Sequence, residues 1–307
     1  EEIESLQQLP DSALQSVLQE MARAQGLNPT TPPAASSQPL TYQQRQRRDD
    51  LARKNAANAN ARDIGQIPDI ADYAERERAK WDLRHHLERY HAEKWYLGWC
   101  KDHLRLIHLL QESLLNRSAD ELIAVALTRG SGKTSISRGA IEWAVLHGHV
   151  QWPILLEADN DAYLKQIRAF QITFKTKQNL AADFPETVWV LQQMKTSQGA
   201  PNMTCMGENM QIIWKTNEMV LPTNYMSQEL GTAAGVLSGG GITGSVRGAQ
   251  LVLATGEIIR PDAFLINDPS TRESAGSPKQ NQDRVNIISA DLLGMGGPGK
   301  PMRGVMT

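Results

Sequence analysis

The feature that most constrains the fold is the stretch Leu122–Thr134, which reads LIAVALTRGSGKT. Its apolar first part, Leu122–Leu127, predicts a buried β-strand, and the residues GSGKT at 130–134 predict a tight turn. Apolar positions then recur at helical spacing as far as His147, where Gly148 predicts the end of a helix. A strand, a glycine-bearing loop and a helix in this order are typical of a phosphate-binding loop, because the loop N–H groups and the helix N-terminus both attract anions.

The residue types in this loop suit a nucleoside triphosphate. The Lys133 ammonium can reach the β- and γ-phosphates, and the Thr134 hydroxyl can ligate Mg²⁺. The usual pattern G-x-x-x-x-G-K-[ST] has glycine where this chain has Leu127, and Arg129 adds a second cation inside the loop. The alternative interpretation is an ordinary surface turn. We expect instead a site for ATP and Mg²⁺ whose cofactor-binding residues are Thr128, Arg129, Gly130, Ser131, Gly132, Lys133 and Thr134.

A second core strand is predicted at Ala263–Ile266, directly before Asn267 and Asp268. Parallel strands that are buried on both faces are short, nearly continuous apolar runs. A carboxylate at the tip of such a strand faces the phosphate loop and can bind the metal ion. Asp268 is therefore a candidate ligand of Mg²⁺, together with Thr134.

These patterns predict an α/β fold with a mostly parallel central sheet and a helical N-terminal region. Residues 1–40 are predicted to hold an amphipathic helix at 3–25 and a linker rich in proline and serine at 28–39. Residues 41–115 are predicted to form a helical subdomain. Residues 116–307 are predicted to form the core that carries the loop.

Composition excludes several classes of protein. The 307 residues have a net charge of −2, so contact with nucleic acid would have to come from local basic patches. No segment approaches the roughly 18 consecutive apolar residues of a membrane span. Cys100 and Cys205 are the only cysteines, which argues against a disulfide scaffold and suits a reducing compartment.

Several histidines and a cysteine lie close together before the loop, but their spacing lacks the second ligand pair of a metal site, and we interpret them as structural. Trp95, Trp99, Asp102 and His103 could line the adenine side of a nucleotide pocket, although packing is the expected role of the two tryptophans. The cluster consists of His85, His86, His91, Cys100 and His103.

Four short apolar runs predict two β-hairpins. The first pairs Ile212–Trp214 with Met219–Leu221, and the second pairs Leu251–Ala254 with Ile258–Arg260. Between them, Ser238–Gly248 is so rich in glycine that it predicts a mobile loop.

Several stretches, in order, resemble the large terminase subunit of tailed bacteriophages, the motor that packages DNA into a procapsid. The likeness runs from about Trp81 to the end of the chain. The matching stretches are Lys101–Leu104, Thr128–Thr134, Asp183–Glu186, Ile242–Gly248, Arg260–Asp262, Asn267–Pro269, Glu273–Ala275 and Leu293–Lys300.

The resemblance implies a P-loop NTPase fold of the additional-strand type and ATP hydrolysis that drives double-stranded viral DNA into the procapsid. It implies a pentameric ring in the host cytoplasm, with the portal protein and a small terminase subunit as partners. The family's nuclease domain follows its ATPase domain, so no nuclease activity is expected from these residues. Carried over, Lys133 and Thr134 bind phosphate and metal, and Arg129 is the P-loop arginine. Arg247 matches the arginine that one subunit offers to its neighbour, and the alternative is a loop arginine paired with a local carboxylate such as Glu257 or Asp262.

The resemblance also exposes a departure, because relatives usually have two acidic residues where this chain has Asn267 and Asp268. Either Asp268 holds the metal and Glu273 is the catalytic base, or Asp268 is the base and the metal ligand is lost. Two other functions therefore stay open. One is a helicase-like P-loop ATPase, and the other is a ring subunit that binds nucleotide but hydrolyses it weakly.

Overall fold

A computed structural model gives the fold of most of the chain. It divides the chain into one unit of residues 1–52 and another of residues 53–307. In the first unit the few described positions are helical. The predicted helix at 3–25 and the linker at 28–39 lie outside the described residues. The structure describes residues 42, 45–46, 48–50, 52, 62–116, 121–128, 130–197, 199–244, 249–253, 256–270, 276–292, 294–297 and 300–307.

Within residues 62–116, three α-helices precede the sheet, where the sequence predicts a helical region. Two aspartates explain where the first two begin: Asp72 accepts a hydrogen bond from the backbone of Glu75, and Asp82 accepts one from the backbone of His85. The segment between the second and third helices contains only one short helical turn, Ala92–Lys94. The helices are α1 (Tyr73–Trp81), α2 (Leu83–Tyr90) and α3 (Lys101–Leu115).

The central sheet has seven strands in the order β1-β11-β10-β2-β7-β6-β5. The first five in that order are mutually parallel, and β6 and β5 are antiparallel additions. The prediction of an α/β fold with a mostly parallel sheet is confirmed. The strands of this sheet are β1 (Glu121–Ala124), β2 (Pro153–Glu157), β5 (Ile213–Trp214), β6 (Glu218–Val220), β7 (Val236–Gly241), β10 (Ala263–Asn267) and β11 (Arg303–Met306).

Strand β11 lies between β1 and β10, so the strand before the loop and the strand before Asp268 do not touch. Arg303 of β11 is in register with Glu121 on one side and with Ala263 on the other. Strand β1 ends at Ala124, earlier than the predicted strand at Leu122–Leu127.

Helices on one face of the sheet share a hydrophobic core with α2 and α3, and a second core on the other face includes Ile154, Phe264 and Ile288. Helix α4 contributes most, since Ile136, Ala140 and Trp143 are fully buried beside Leu87 and Leu106. Among the described residues, no helix is both long and apolar enough to cross a membrane. The later helices are α4 (Lys133–Leu146), α5 (Asn160–Thr176), α6 (Gln178–Asp183), α7 (Val190–Gln193), α8 (Tyr225–Leu230) and α9 (Pro278–Asn286), with single helical turns at Pro185–Trp189, Ala200–Asn202 and Ile287–Leu292.

The prediction of a mobile loop at Ser238–Gly248 is wrong for its first part. Residues Val236–Gly241 form β7, a strand inside the sheet between β2 and β6. The reason is steric, because a Cβ atom on Gly239 would lie 1.8 Å from the carbonyl oxygen of Leu155. The glycine here permits a close approach of two backbones rather than a flexible connection. Residues 245–248 lie outside the described residues.

Both predicted hairpins are confirmed. Strands β5 and β6 pair antiparallel at the edge of the main sheet. Strands β8 (Leu251–Val252) and β9 (Ile258–Ile259) pair antiparallel in a small sheet of their own. Another small sheet, which the sequence did not predict, pairs β3 (Thr204–Cys205) with β4 (Glu208–Asn209).

Candidate functional site

The glycine-bearing loop forms the start of α4. Gly130 and Gly132 have φ values of 81° and 79°, a region that residues with a Cβ rarely adopt. Gly132 is the N-cap residue of α4, and among the described residues no side chain caps the helix there. The first N–H groups of α4 are therefore available to an anion.

Helix α3 supports this loop from one side. The His103 Nε2 atom lies 2.7 Å from the Ser131 carbonyl oxygen. Because a carbonyl oxygen only accepts, Nε2 carries the proton and donates it to Ser131. His103 therefore fixes the loop backbone, which is a role that sequence reasoning did not foresee.

Lys133 faces the tip of β10. Its Nζ atom lies 3.0 Å from Oδ1 of Asp268, the residue that follows the strand. Asp268 has a φ of 45°, and its backbone N–H donates to the Thr307 carbonyl oxygen. This left-handed conformation is uncommon for a residue other than glycine, and such strain is concentrated at functional sites. The Asp268 side chain is 65% exposed, so the ion pair is in contact with solvent.

Thr134 faces Asn267 and not Asp268. The Thr134 hydroxyl donates to Oδ1 of Asn267 at 3.1 Å, and the Thr307 hydroxyl donates to the same oxygen at 3.2 Å. Asn267 is buried and is the last residue of β10. The position beside the predicted metal-binding hydroxyl therefore holds a neutral amide, while the carboxylate of Asp268 lies beside Lys133.

A second carboxylate, which sequence reasoning missed, lies behind Asn267. Nδ2 of Asn267 donates to both carboxylate oxygens of Glu157, at 3.1 and 2.9 Å. Glu157 is the last residue of β2 and is in register with Asn267 on the neighbouring strand. Burial raises the pKa of Glu157, and the hydrogen bonds from Asn267 and Gln166 act in the opposite direction. The available signal was an acidic residue at the end of the apolar run 153–156.

Two tryptophans pack beside the loop. Trp95 and Trp99 have ring centroids 4.6 Å apart, and Trp99 Nε1 donates to Glu88 at 2.6 Å. Both rings are partly buried against the core, as expected, and they line a cavity of about 360 Å³. A Cβ atom on Gly132 would lie 3.8 Å from the Trp95 ring, so Trp95 packs against the loop, although no described loop residue lines the cavity itself. Asp102 is exposed at the start of α3 and does not line the cavity.

Part of the histidine cluster could hold a metal ion by distance alone. The ligand atoms of His86, His91 and Glu142 lie within 4.8 Å of one another, and all three residues are buried. However, the Lys94 amine lies 3.3 Å from His91 Nδ1, so Nδ1 accepts and Nε2 carries the proton that is donated to Glu142. A metal ion that bound His91 through Nε2 would need the lone pair of that nitrogen, which here carries the proton donated to Glu142. The contacts therefore favour the structural interpretation.

The structure thus places Lys133 beside Asp268 and Thr134 beside Asn267, with Glu157 behind Asn267. The predicted Arg129, Arg247 and Glu273 lie outside the described residues. Comparisons with protein-family models, with curated proteins and with solved structures gave no match. A function for this chain therefore has to be inferred from the site itself.

Proposed function

We propose that this protein binds ATP with Mg²⁺ and hydrolyses it. The observation that carries the proposal is the convergence of the start of α4 with the tip of β10. There Lys133 lies 3.0 Å from Asp268, and Thr134 lies 3.1 Å from Asn267. A lysine and a hydroxyl at a helix N-terminus, opposite an acidic strand tip, are the parts that phosphoryl transfer requires. The insertion of β11 between β1 and β10 supports a P-loop NTPase fold of the additional-strand type.

The residues present fit a magnesium–nucleotide complex. The N–H groups at the start of α4 would hold the phosphates, and the Lys133 ammonium would exchange Asp268 for phosphate oxygens. The Thr134 hydroxyl and the Asn267 carbonyl oxygen would face the metal. A bound magnesium ion supplies positive charge where negative charge develops during phosphoryl transfer. The Trp95 ring, which packs against Gly132, would be the nearest aromatic surface on which the base could stack.

The placement of Asp268 favours one of the two open assignments. Its exposed carboxylate, beside Lys133 at the mouth of the site, suits a base that orients the attacking water. Asn267 occupies the position beside Thr134 and offers a neutral oxygen to the metal. A neutral ligand attracts Mg²⁺ less than a carboxylate does. This supports, as a second candidate function, a ring subunit that binds nucleotide but hydrolyses it weakly.

The biological role that we propose comes from the resemblance to the large terminase subunit. In that role, hydrolysis drives double-stranded viral DNA into a procapsid in the host cytoplasm. The portal protein, a small terminase subunit and further copies of this chain in a pentameric ring would be the partners. Arg129 and Arg247 would contact nucleotide, Arg247 from a neighbouring subunit. A helicase-like ATPase is the alternative, and forked-duplex unwinding would favour it.

The test is the substitution Lys133→Ala, with ATP binding and turnover measured with and without double-stranded DNA. The loss of the one lysine in the loop should abolish turnover, because a lost phosphate contact costs several kcal/mol of transition-state stabilisation. Lys165→Ala, at an exposed position on α5, is the matched control and should retain activity. Full turnover by the Lys133→Ala protein would exclude this site. ATP binding by the unmodified protein without turnover would favour the weakly hydrolysing subunit.

A further inference from the structure

Glu157 is a buried carboxylate that makes no direct ion pair with a described residue. Its residue exposure is 5%, and in the described part of the chain no lysine, arginine or histidine lies within ion-pair distance of it. Its hydrogen bonds come from the neutral amide of Asn267, and the Gln166 side chain also lowers its pKa. Arg138 makes no direct contact with Glu157 within ion-pair distance, but its charge favours the ionised form of Glu157, and its Nε donates to Gln166 at 2.7 Å. Buried charges in proteins are normally paired or coordinate metals, so this arrangement requires an explanation.

The hydrogen bonds fix the orientation of the Asn267 amide. An ionised carboxylate can only accept, so Glu157 requires the NH₂ group of Asn267 to face it. The carbonyl oxygen of Asn267 then faces the opposite way, where the hydroxyls of Thr134 and Thr307 donate to it. The result is one continuous chain of polar groups from Glu157 through Asn267 to Thr134.

We propose that Glu157 is a positioning residue for the magnesium–nucleotide complex. It supplies the negative charge that Asn267 lacks, and it holds the Asn267 carbonyl oxygen toward Thr134 and the metal. This inference rests on the proposed nucleotide-binding function and adds a residue to it. The carboxylate acts through Asn267 and not by direct contact with the metal.

Strand geometry explains why this residue can take the role. Strands β2 and β10 are parallel neighbours, and their last residues, Glu157 and Asn267, are in register. The carboxyl ends of parallel strands meet at one edge of the sheet, beside the loop before α4. An acid on β2 can therefore supply the negative charge that an acid on β10 would supply. It does so through the Asn267 side chain, which lies between Glu157 and Thr134.

The test measures the affinity for ADP by isothermal titration calorimetry, once with Mg²⁺ and once with EDTA. In the unmodified protein Mg²⁺ should strengthen binding. Glu157→Gln should reduce this strengthening about 10–100-fold, the usual effect of losing a group that orients a metal ligand. Its affinity in EDTA should stay unchanged. Glu218→Gln, on β6 and away from the site, is the control for the chemical change and should match the unmodified protein.

The decisive variant combines Glu157→Gln with Asn267→Asp, which moves the single buried charge to the neighbouring strand. This double variant should recover the Mg²⁺ effect to within about tenfold of the unmodified protein. It also keeps the count of buried charges, so it should fold even where Glu157→Gln alone does not, as thermal unfolding would show. A purely structural role of Glu157 would lower ADP affinity equally with Mg²⁺ and with EDTA, and the double variant would not recover it.

The outcomes separate this inference from the function on which it rests. If the unmodified protein binds no ADP under either condition, both are wrong. If it binds ADP more tightly with Mg²⁺ and Glu157→Gln retains the full Mg²⁺ effect, only the role of Glu157 is wrong. A folded double variant without a Mg²⁺ effect would also overturn that role.

Discussion

Two buried histidines should make this protein less stable in mild acid. His86 and His147 lie in the core between α2 and the end of α4, with ring centroids 5.5 Å apart. Burial lowers the pKa of both imidazoles, and neighbouring positive groups lower the pKa of His147 further. The groups that face His147 are His86, Arg76, His149 and Lys80, and those that face His86 are Glu142, His91 and His85.

The sign and size of the effect follow from proton linkage. The unfolded chain takes up protons on these imidazoles near pH 6.5, whereas the folded protein does not, so the free energy of unfolding falls as pH falls. His147, whose pKa lies well below its ordinary value, should remove about 1.4 kcal/mol between pH 7.5 and pH 5.5, and His86 should add to this loss in the same direction. That is a large part of the roughly 5–15 kcal/mol that stabilises a typical domain. Carboxylates with lowered pKa, such as Glu88 and Glu93, affect stability only at lower pH.

Urea unfolding at several pH values between 5.5 and 7.5 measures this slope. His147→Leu should reduce the loss of stability over that range by about 1.4 kcal/mol, because one proton-binding difference is removed. His108→Leu, at a side chain that is 66% exposed, should leave the slope unchanged. An unaltered slope in His147→Leu would refute the reasoning, as would an equal change in both variants.

Two further predictions concern stability. Arg76→Ala should lower the free energy of unfolding by about 3–5 kcal/mol, because it leaves the buried Glu186 without the guanidinium that lies 2.7 Å away. Arg78→Ala, which breaks an exposed pair with Glu75, should lower it by about 1 kcal/mol or less in the same urea titration. Similar costs for both would contradict the view that burial decides the difference. Gly239→Ala should destabilise by about 3 kcal/mol because its Cβ meets the Leu155 backbone. Gly240→Ala, whose Cβ would have no atom within 4 Å, should retain a melting temperature near that of the unmodified protein. Equal melting temperatures for the two variants would contradict the steric explanation.

Local patterns predicted the parts of the site that are close together in sequence. The apolar run before Asn267 and the GSGKT turn at 130–134 each predicted one half of the candidate site. The helix predicted after the turn matches α4 at Lys133–Leu146. The two hairpins followed from short alternating runs bounded by turn residues. Such features depend on residues within a few positions of each other, which a single sequence contains.

Other parts depended on which strands become neighbours. The role of Glu157 depends on the pairing of β2 with β10, and no local pattern near residue 157 predicts that pairing. The glycines of β7 suggested flexibility because their purpose, contact with the backbone at Leu155, involves a distant part of the chain. The partners of Asn267 and Asp268 also could not be predicted from local patterns. Asn267 contacts Thr134, and Asp268, the next residue, contacts Lys133.

The position of β11 has a consequence for how the protein folds. Strands β1 and β10 each pair with β11 and not with each other. The edge of each strand that β11 will occupy therefore stays unpaired until residues 303–306 have been made. Parallel pairing between segments far apart along a chain forms slowly, because the entropy of closing a long loop is lost before the contacts form. On a ribosome, the loop that starts α4 emerges long before the strand that aligns it with Asp268. Two open strand edges in that interval are templates for pairing with other chains, so aggregation competes with folding until β11 docks.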